Sequence, residues 1–218
     1  MNKHLLIIGA GPGVALGVAH RFAREGFKLS LIARRAASLD DLAGQLRNAG
    51  TEVATYTADV ADFAQLRQVI QLIITERGPV TVLHYNPSVY REANGLTIDP
   101  EQFMQDIRTD AGGLLAAAQA VVPAMQAVGS GALLVTGGGT ALYPDGDLLS
   151  LSVGKAAVRT MADCLRQTLE PLGIHVATVT IVGSVGSNDH FSPNRIAEAF
   201  WNLYQQPRES RTFETVYR

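Results

Sequence analysis

Three glycines in five residues, Gly9-Ala10-Gly11-Pro12-Gly13, follow directly on the apolar run Leu5-Leu6-Ile7-Ile8 and precede a helical pattern that opens at Val14. A turn without Cβ atoms lets the backbone approach a pyrophosphate, and the helix behind it aims its N-terminus at the charge. A glycine cluster alone also makes a plain tight turn. Its position between the first strand and the first helix is what points to a dinucleotide, with Gly9, Gly11, Pro12, Gly13 and Val14 as the contacting residues. At the end of the second apolar run stands Ala33-Arg34-Arg35. An acidic residue there would bond the ribose hydroxyls of NAD, whereas arginine accommodates the additional phosphate of NADP. Arg34 and Arg35 could also be a solvated pair at a helix start, but two adjacent cations at that strand end predict NADP(H), with NAD(H) as the alternative.

The elements that must hold these residues alternate regularly. Apolar runs at Leu5–Ile8, Leu29–Ala33, Glu52–Tyr56, Val80–His84, Ala132–Thr136 and His175–Ile181 predict six strands. Helical patterns lie between them, at Val14–Glu25, about Leu39–Ala49, Phe63–Glu76, about Asp110–Val128 and about Ser152–Leu172, with a last helix at Pro193–Tyr204. Strands apolar on both faces need helices above and below. The expected fold is therefore α/β, a Rossmann-type doubly wound parallel sheet flanked by helices, with its ligand crevice at the carboxyl ends of the strands.

Composition agrees with one folded domain over residues 1–218: 47% of residues are hydrophobic and 17% charged. A formal net charge of −2 offers no general attraction to nucleic acid or anionic membranes. The one cysteine, Cys164, excludes an intrachain disulfide and a cysteine-built zinc site. Its helical setting predicts a buried structural thiol, and no metal is expected. Leu5–Ile8 is too short for a signal-peptide core or a membrane span, so the expectation is a soluble cytoplasmic protein.

Over essentially its full length the chain resembles the short-chain dehydrogenase/reductases. Ile8 to Ala15 is similar to their glycine motif, with Gly9 and Gly13 matching its first two glycines and Ala15 standing at the third; Gly17 lies two residues on. Ala58-Asp59-Val60 looks like the family's adenine contact, which assigns Asp59 and Val60 to the cofactor. Asn86-Pro87-Ser88 stands where Asn-Ala-Gly follows the fourth strand, and Ile181-Val182-Gly183 where Pro-Gly follows the sixth, adding Asn86, Pro87, Val182, Gly183 and Val185.

The resemblance also implies an Asn-Ser-Tyr-Lys tetrad. In it Tyr exchanges the carbonyl proton, Lys lowers the Tyr pKa and bonds the cofactor ribose, Ser holds the substrate oxygen and Asn supports a proton path. Lys155 matches the Lys. Leu151 stands at the Tyr position, Gly138 at the Ser and Asp110 at the Asn, a pattern that resembles a divergent subgroup lacking the active-site Tyr. Candidate catalytic residues are thus Lys155 and Asp110, with Tyr143 and His190 as replacement donors. Tyr143 also reads as a turn residue before Pro144, His190 as an exposed one, and Ser152 as a helix cap. His84 lies close to the site without an identifiable proton partner, and His4, His20 and His175 read as structural.

Two functions follow. One is an NADP-dependent oxidoreductase acting on a carbonyl or alcohol. The other is a non-catalytic NAD(P)-binding sensor or partner subunit. The helices Asp110–Val128 and Ser152–Leu172 resemble those that make dimer and tetramer contacts in the family, which predicts a homodimer or homotetramer.

Overall fold

A computed structural model describes residues 3–218. Seven parallel strands form one sheet: β1 (His4–Ile8), β2 (Lys28–Ala33), β3 (Val53–Thr57), β4 (Val82–Tyr85), β5 (Gly131–Gly138), β6 (Ile174–Ile181) and β7 (Glu214–Tyr217). Their order is β3-β2-β1-β4-β5-β6-β7. The strand order reverses between β1 and β4, and a crevice opens there at the carboxyl ends of the strands.

Period-two side-chain alternation divides the core. Leu5 and Ile7 of β1 join one cluster with α1 (Val14–Ala23), α2 (Ala36–Asn48) and α7 (Pro193–Tyr204). Leu6 and Ile8 join the other, with α3 (Phe63–Arg77), α5 (Gly113–Val128) and α6 (Leu149–Leu169). Both faces are buried, which is why these strands read as continuous apolar runs rather than alternating ones.

Several elements differ from the sequence expectation. The helix expected from Asp110 begins ten residues earlier, at α4 (Pro100–Ile107), where Asp99 accepts the Glu101 and Gln102 amides at 3.0 Å and Pro100 occupies the first turn. A single π-turn, Arg108–Gly112, joins α4 to α5. The combined helix, Pro100–Val128, is long and apolar enough to cross a membrane, yet half of that apolar stretch is buried inside the fold. The seventh strand, β7, was not expected. It is short and mixes polar and apolar residues on each face, and Glu214 is held there by Arg159 in two hydrogen bonds of 2.9 and 2.6 Å. Helix α6 starts at Leu149, so Ser152 is not its cap; the Ser152 hydroxyl instead bonds both the amide and the carbonyl of Asp145. Cys164 is exposed, because it sits on the outer face of α6 opposite the buried Val158 and Ala162.

Candidate functional site

The glycine turn is fixed by its neighbours on both sides. The amides of Gly9 and Ala10 donate to the Ile32 carbonyl at 3.0 Å, and the Asn86 side-chain amide donates to the Gly9 carbonyl at 3.0 Å. Gly9 has φ +77°, and a Cβ there would lie 2.8 Å from the Pro87 nitrogen, so no other residue fits. At Gly11 and Gly13 a Cβ would meet nothing within 4 Å. The open side of the turn can therefore receive a ligand; in α1 the Leu16 amide already donates to the Gly13 carbonyl at 3.1 Å, which leaves the amides ahead of it, at the helix start, to face that side. Ala15 is buried at the third motif position, while Gly17 makes the close approach: a Cβ there would lie 2.3 Å from the Pro193 carbonyl oxygen of α7.

From this turn a cleft of about 380 Å³ runs along the carboxyl edge of the sheet, past Arg34, Arg35 and Ser38 on one side and Val60, Asn86 and Pro87 on the other. Ser38, in the first turn of α2, lines the cleft together with the two arginines; nothing in local pattern separates it from other helical serines. Asp59 closes the turn ahead of α3 by accepting the Ala61 amide at 2.9 Å, while Ala58 and Val60 face the cleft. An open glycine turn, a helix N-terminus and two cations with a hydroxyl fit a dinucleotide bearing an additional phosphate.

Lys155 lies at the base of the crevice, 6% exposed, and its ammonium donates to the Thr136 carbonyl at 3.0 Å. The Thr136 hydroxyl donates to the Asn86 side-chain oxygen at 2.8 Å. That commits its one proton, so His84 Nε2, 2.9 Å away, is the donor to Thr136 Oγ1. His84 thus has a partner, contrary to expectation. Burial pushes it down to about 3, which keeps it neutral. Burial also lowers the Lys155 pKa, against the pull of Asp110.

Asp110 is carried by the π-turn into the interior rather than standing at a helix start. Its Oδ1 accepts the Val89 amide at 2.9 Å, whereas Oδ2 is buried without a partner, facing Gly154. Burial pushes the carboxyl up to about 6, although Lys155 and the Val89 amide both pull it down. Gly154 leaves room for this carboxyl: a Cβ there would sit 2.2 Å from Oδ2. Gly138, at the Ser position, lies on the Lys155 stem, and Leu151 is half-buried one turn before Lys155.

The two replacement donors lie elsewhere. Tyr143 is exposed and its hydroxyl accepts from Arg218 at 3.0 Å; His190 bonds the Arg218 carbonyl through Nε2 and stacks on Tyr217 at 4.7 Å. Neither bonds Lys155, Asp110 or Thr136. Val182 packs over Gly139, its amide donating to Tyr217 at 2.8 Å; Gly183 is covered by the Phe191 ring, and Val185 is exposed.

Residues 3–188 match the family model for short chain dehydrogenase. The chain belongs to the short-chain dehydrogenase family. Two 3-dehydrosphinganine reductases of Arabidopsis thaliana are 28% and 31% identical over 182 and 178 residues, covering 82% and 80% of this chain and 55% and 53% of theirs. The chain thus spans about half the length of these curated relatives. An uncharacterized oxidoreductase of Listeria innocua is 25% identical over 210 residues, 94% of this chain and 84% of its own. Among solved structures, a metagenomic short-chain oxidoreductase in complex with NADP superposes with a TM-score of 0.91 at 20% identity, covering 100% of this chain and 96% of that one. An alcohol dehydrogenase from the archaeon Thermococcus sibiricus, complexed with 5-hydroxy-NADP, gives 0.88 at 22%, covering 99% and 97%. At these identities the two structures establish the fold.

Proposed function

We propose that this short-chain dehydrogenase is an NADP(H)-linked oxidoreductase that interconverts a carbonyl compound and its alcohol, and that it belongs to a branch lacking the usual tyrosine. The observation that carries the reading is a continuous hydrogen-bonded chain from Gly9 through Asn86 and Thr136 to Lys155, which ties the glycine turn to the one retained tetrad residue. NADP(H), when bound, supplies the hydride chemistry. Gly9, Gly11, Pro12, Gly13 and Val14 would hold its pyrophosphate, Arg34 and Arg35 its additional phosphate, and Asn86, Pro87, Val182, Gly183 and Val185 would flank the remainder, with Asp59 and Val60 on the adenine side.

With Leu151 at the tyrosine position, proton handling falls to the buried pair. Lys155, its pKa lowered by burial, would hold the transferable proton at Nζ; Asp110, pushed up to about 6 by burial, is the nearby charge that opposes that lowering. The relatives named reductases support the carbonyl-to-alcohol direction. The exposed Leu115 of α5 and Val153 of α6 support a homodimer or homotetramer through those helices, which light scattering on the purified protein measures.

Calorimetric titration with NADPH, NADP and NADH, followed by NADPH consumption over a panel of carbonyl compounds, tests the function. Phosphate-dependent binding with turnover lost in Lys155→Met supports it. Binding without turnover on any carbonyl assigns the chain a non-catalytic cofactor-sensing role. Absence of binding to all three nucleotides overturns both.

A further inference from the structure

A second cavity, of about 590 Å³, opens at the opposite end of the sheet from the glycine turn, where β4, β5 and β6 begin and α5 and α7 end. Its walls are largely apolar: Val80 and Ala132 from the sheet side, Ala124 and Val128 from α5, and the Tyr204 ring from α7. Three basic side chains line it, Lys3, His175 and Arg211, and no carboxylate among the described residues does.

Two of these carry a buried nitrogen without a partner. His175 is 2% exposed, and its Nε2 faces the Thr212 carbonyl at 3.3 Å. A carbonyl only accepts, so Nε2 carries the proton and Nδ1 is left as a bare, buried lone pair without a partner. Arg211 is anchored by Nη1 on the Gly173 carbonyl at 3.2 Å, which leaves its buried Nε–H without an acceptor. Buried polar atoms normally find partners, and two orphans on two residues that line one cavity mark a place where a polar group is wanted.

The surrounding charge favours an anion. Arg211, Lys3 and the nearby Arg208 are positive; Glu170, the one carboxylate acting on both His175 and Arg211, is itself paired with Arg166 at 2.9 Å. The remaining ionisable group on the wall, Tyr204, is held neutral by burial.

We propose that this cavity binds an amphipathic monocarboxylate, its carboxylate on Arg211 Nε and its chain against Val80, Ala124, Val128 and Ala132. His175 completes the site by taking a proton from solvent as the anion binds. Its imidazolium then donates from Nδ1 to the carboxylate and from Nε2 to Thr212. In the free protein, burial and Arg211 hold His175 below its ordinary value; the charge of a bound anion offsets that of Arg211 and favours the imidazolium. Affinity therefore falls as pH rises. The site shares no lining residue with the cofactor cleft and does not depend on the oxidoreductase reading.

The test is calorimetric titration of the full chain with octanoate at pH 6 and pH 8, in buffers of different ionisation enthalpy, with octan-1-ol as the uncharged probe. Octanoate is expected to bind more tightly at pH 6 with proton uptake, and Arg211→Gln to weaken it about tenfold or more, as loss of a charged hydrogen bond does. His175→Gln should abolish the proton uptake, and Ala124→Phe should fill the cavity. Should Ala124→Phe fail to fold, Val128→Glu at the exposed rim repels the same anion without loading the core. Absence of octanoate binding at millimolar concentration, equal affinity for octan-1-ol, or unchanged affinity in Arg211→Gln overturns the proposal.

Discussion

The backbone carbonyl of Thr136 accepts the Lys155 ammonium at 3.0 Å, which fixes a buried charge to the same residue whose hydroxyl orients Asn86. One β5 residue thus sets the position of both Lys155 and the glycine turn. Replacing it with an isostere that keeps the carbonyl but loses the hydroxyl separates the two roles. Thr136→Val leaves Asn86 Oδ1 and the His84 Nε2–H unpartnered in the interior, at a cost of about 1–3 kcal/mol per group. Urea unfolding should show that loss, and nucleotide affinity should fall as Asn86 releases Gly9. Thr136→Ser, which restores the hydroxyl, should recover most of both.

Asp110 gives a pH signature of its own. Its carboxyl has an ordinary value of 3.8 and stands at about 6 in the folded protein, so the folded state binds the extra proton between those values. Its contribution to stability is fully present below 3.8 and is lost as pH rises through about 6. His84 and His4, pushed down to about 3 and about 4, act in the opposite sense and favour the folded state as pH rises toward 6.5. Only the Asp110 contribution disappears in Asp110→Asn. The stability of that variant relative to the parent should therefore increase between pH 4 and pH 6 and level off above pH 7, by up to about 3 kcal/mol. Urea melts at pH 5 and pH 8 measure the difference; a constant offset would mean that Asp110 keeps its ordinary value.

Much of the frame, and the place of the glycine turn between β1 and α1, is legible in the amino-acid sequence because each rests on local pattern. Both-face burial makes apolar runs, and Gly9 to Gly13 lie in five consecutive residues between a strand and a helix. The His84–Thr136 contact is different. It joins residues 52 apart through the pairing of β4 with β5, and that register is not encoded in either strand alone. The π-turn escapes for a related reason. Gly112 and Gly113 look like helix-weakening residues, yet they admit Phe63 and the Tyr85 hydroxyl, which arrive from α3 and β4. The start of α4 is marked locally, by Asp99-Pro100. Strand β7 is four residues long and carries a partly buried ion pair, so its polarity conceals a strand that Arg159 of α6 makes possible.

Gly17 and Gly11 should respond differently to the same substitution. A Cβ at Gly17 would lie 2.3 Å from the backbone carbonyl of Pro193, so α1 and α7 must separate to admit it. Gly17→Ala should cost about 1–3 kcal/mol, as overpacking of a core does. A Cβ at Gly11 meets nothing within 4 Å, so Gly11→Ala should melt near the parent. It should instead weaken NADPH binding, because the added methyl occupies the open side of the turn. Melting curves and calorimetry on the two variants distinguish a packing glycine from a ligand-facing one, and equal behaviour would remove the ligand from this turn.

Arg34 and Arg35 offer the sharpest discrimination between the two nicotinamide cofactors. Both are exposed at the end of β2, and with Ser38 they line the cleft. Among the described residues neither pairs with a carboxylate, so their removal should leave stability within about 0.5 kcal/mol of the parent. A hydrogen bond to a charged group contributes about 1.5–3 kcal/mol, so loss of one such contact to the additional phosphate should weaken NADPH binding roughly tenfold to a hundredfold. NADH has no phosphate at that position, and its affinity should change little. Arg34→Ala/Arg35→Ala should therefore bring the NADPH and NADH affinities together, while raised ionic strength should weaken NADPH binding to the parent more than to the variant. A parallel loss of both cofactors would show instead that the two arginines shape the cleft rather than read the phosphate.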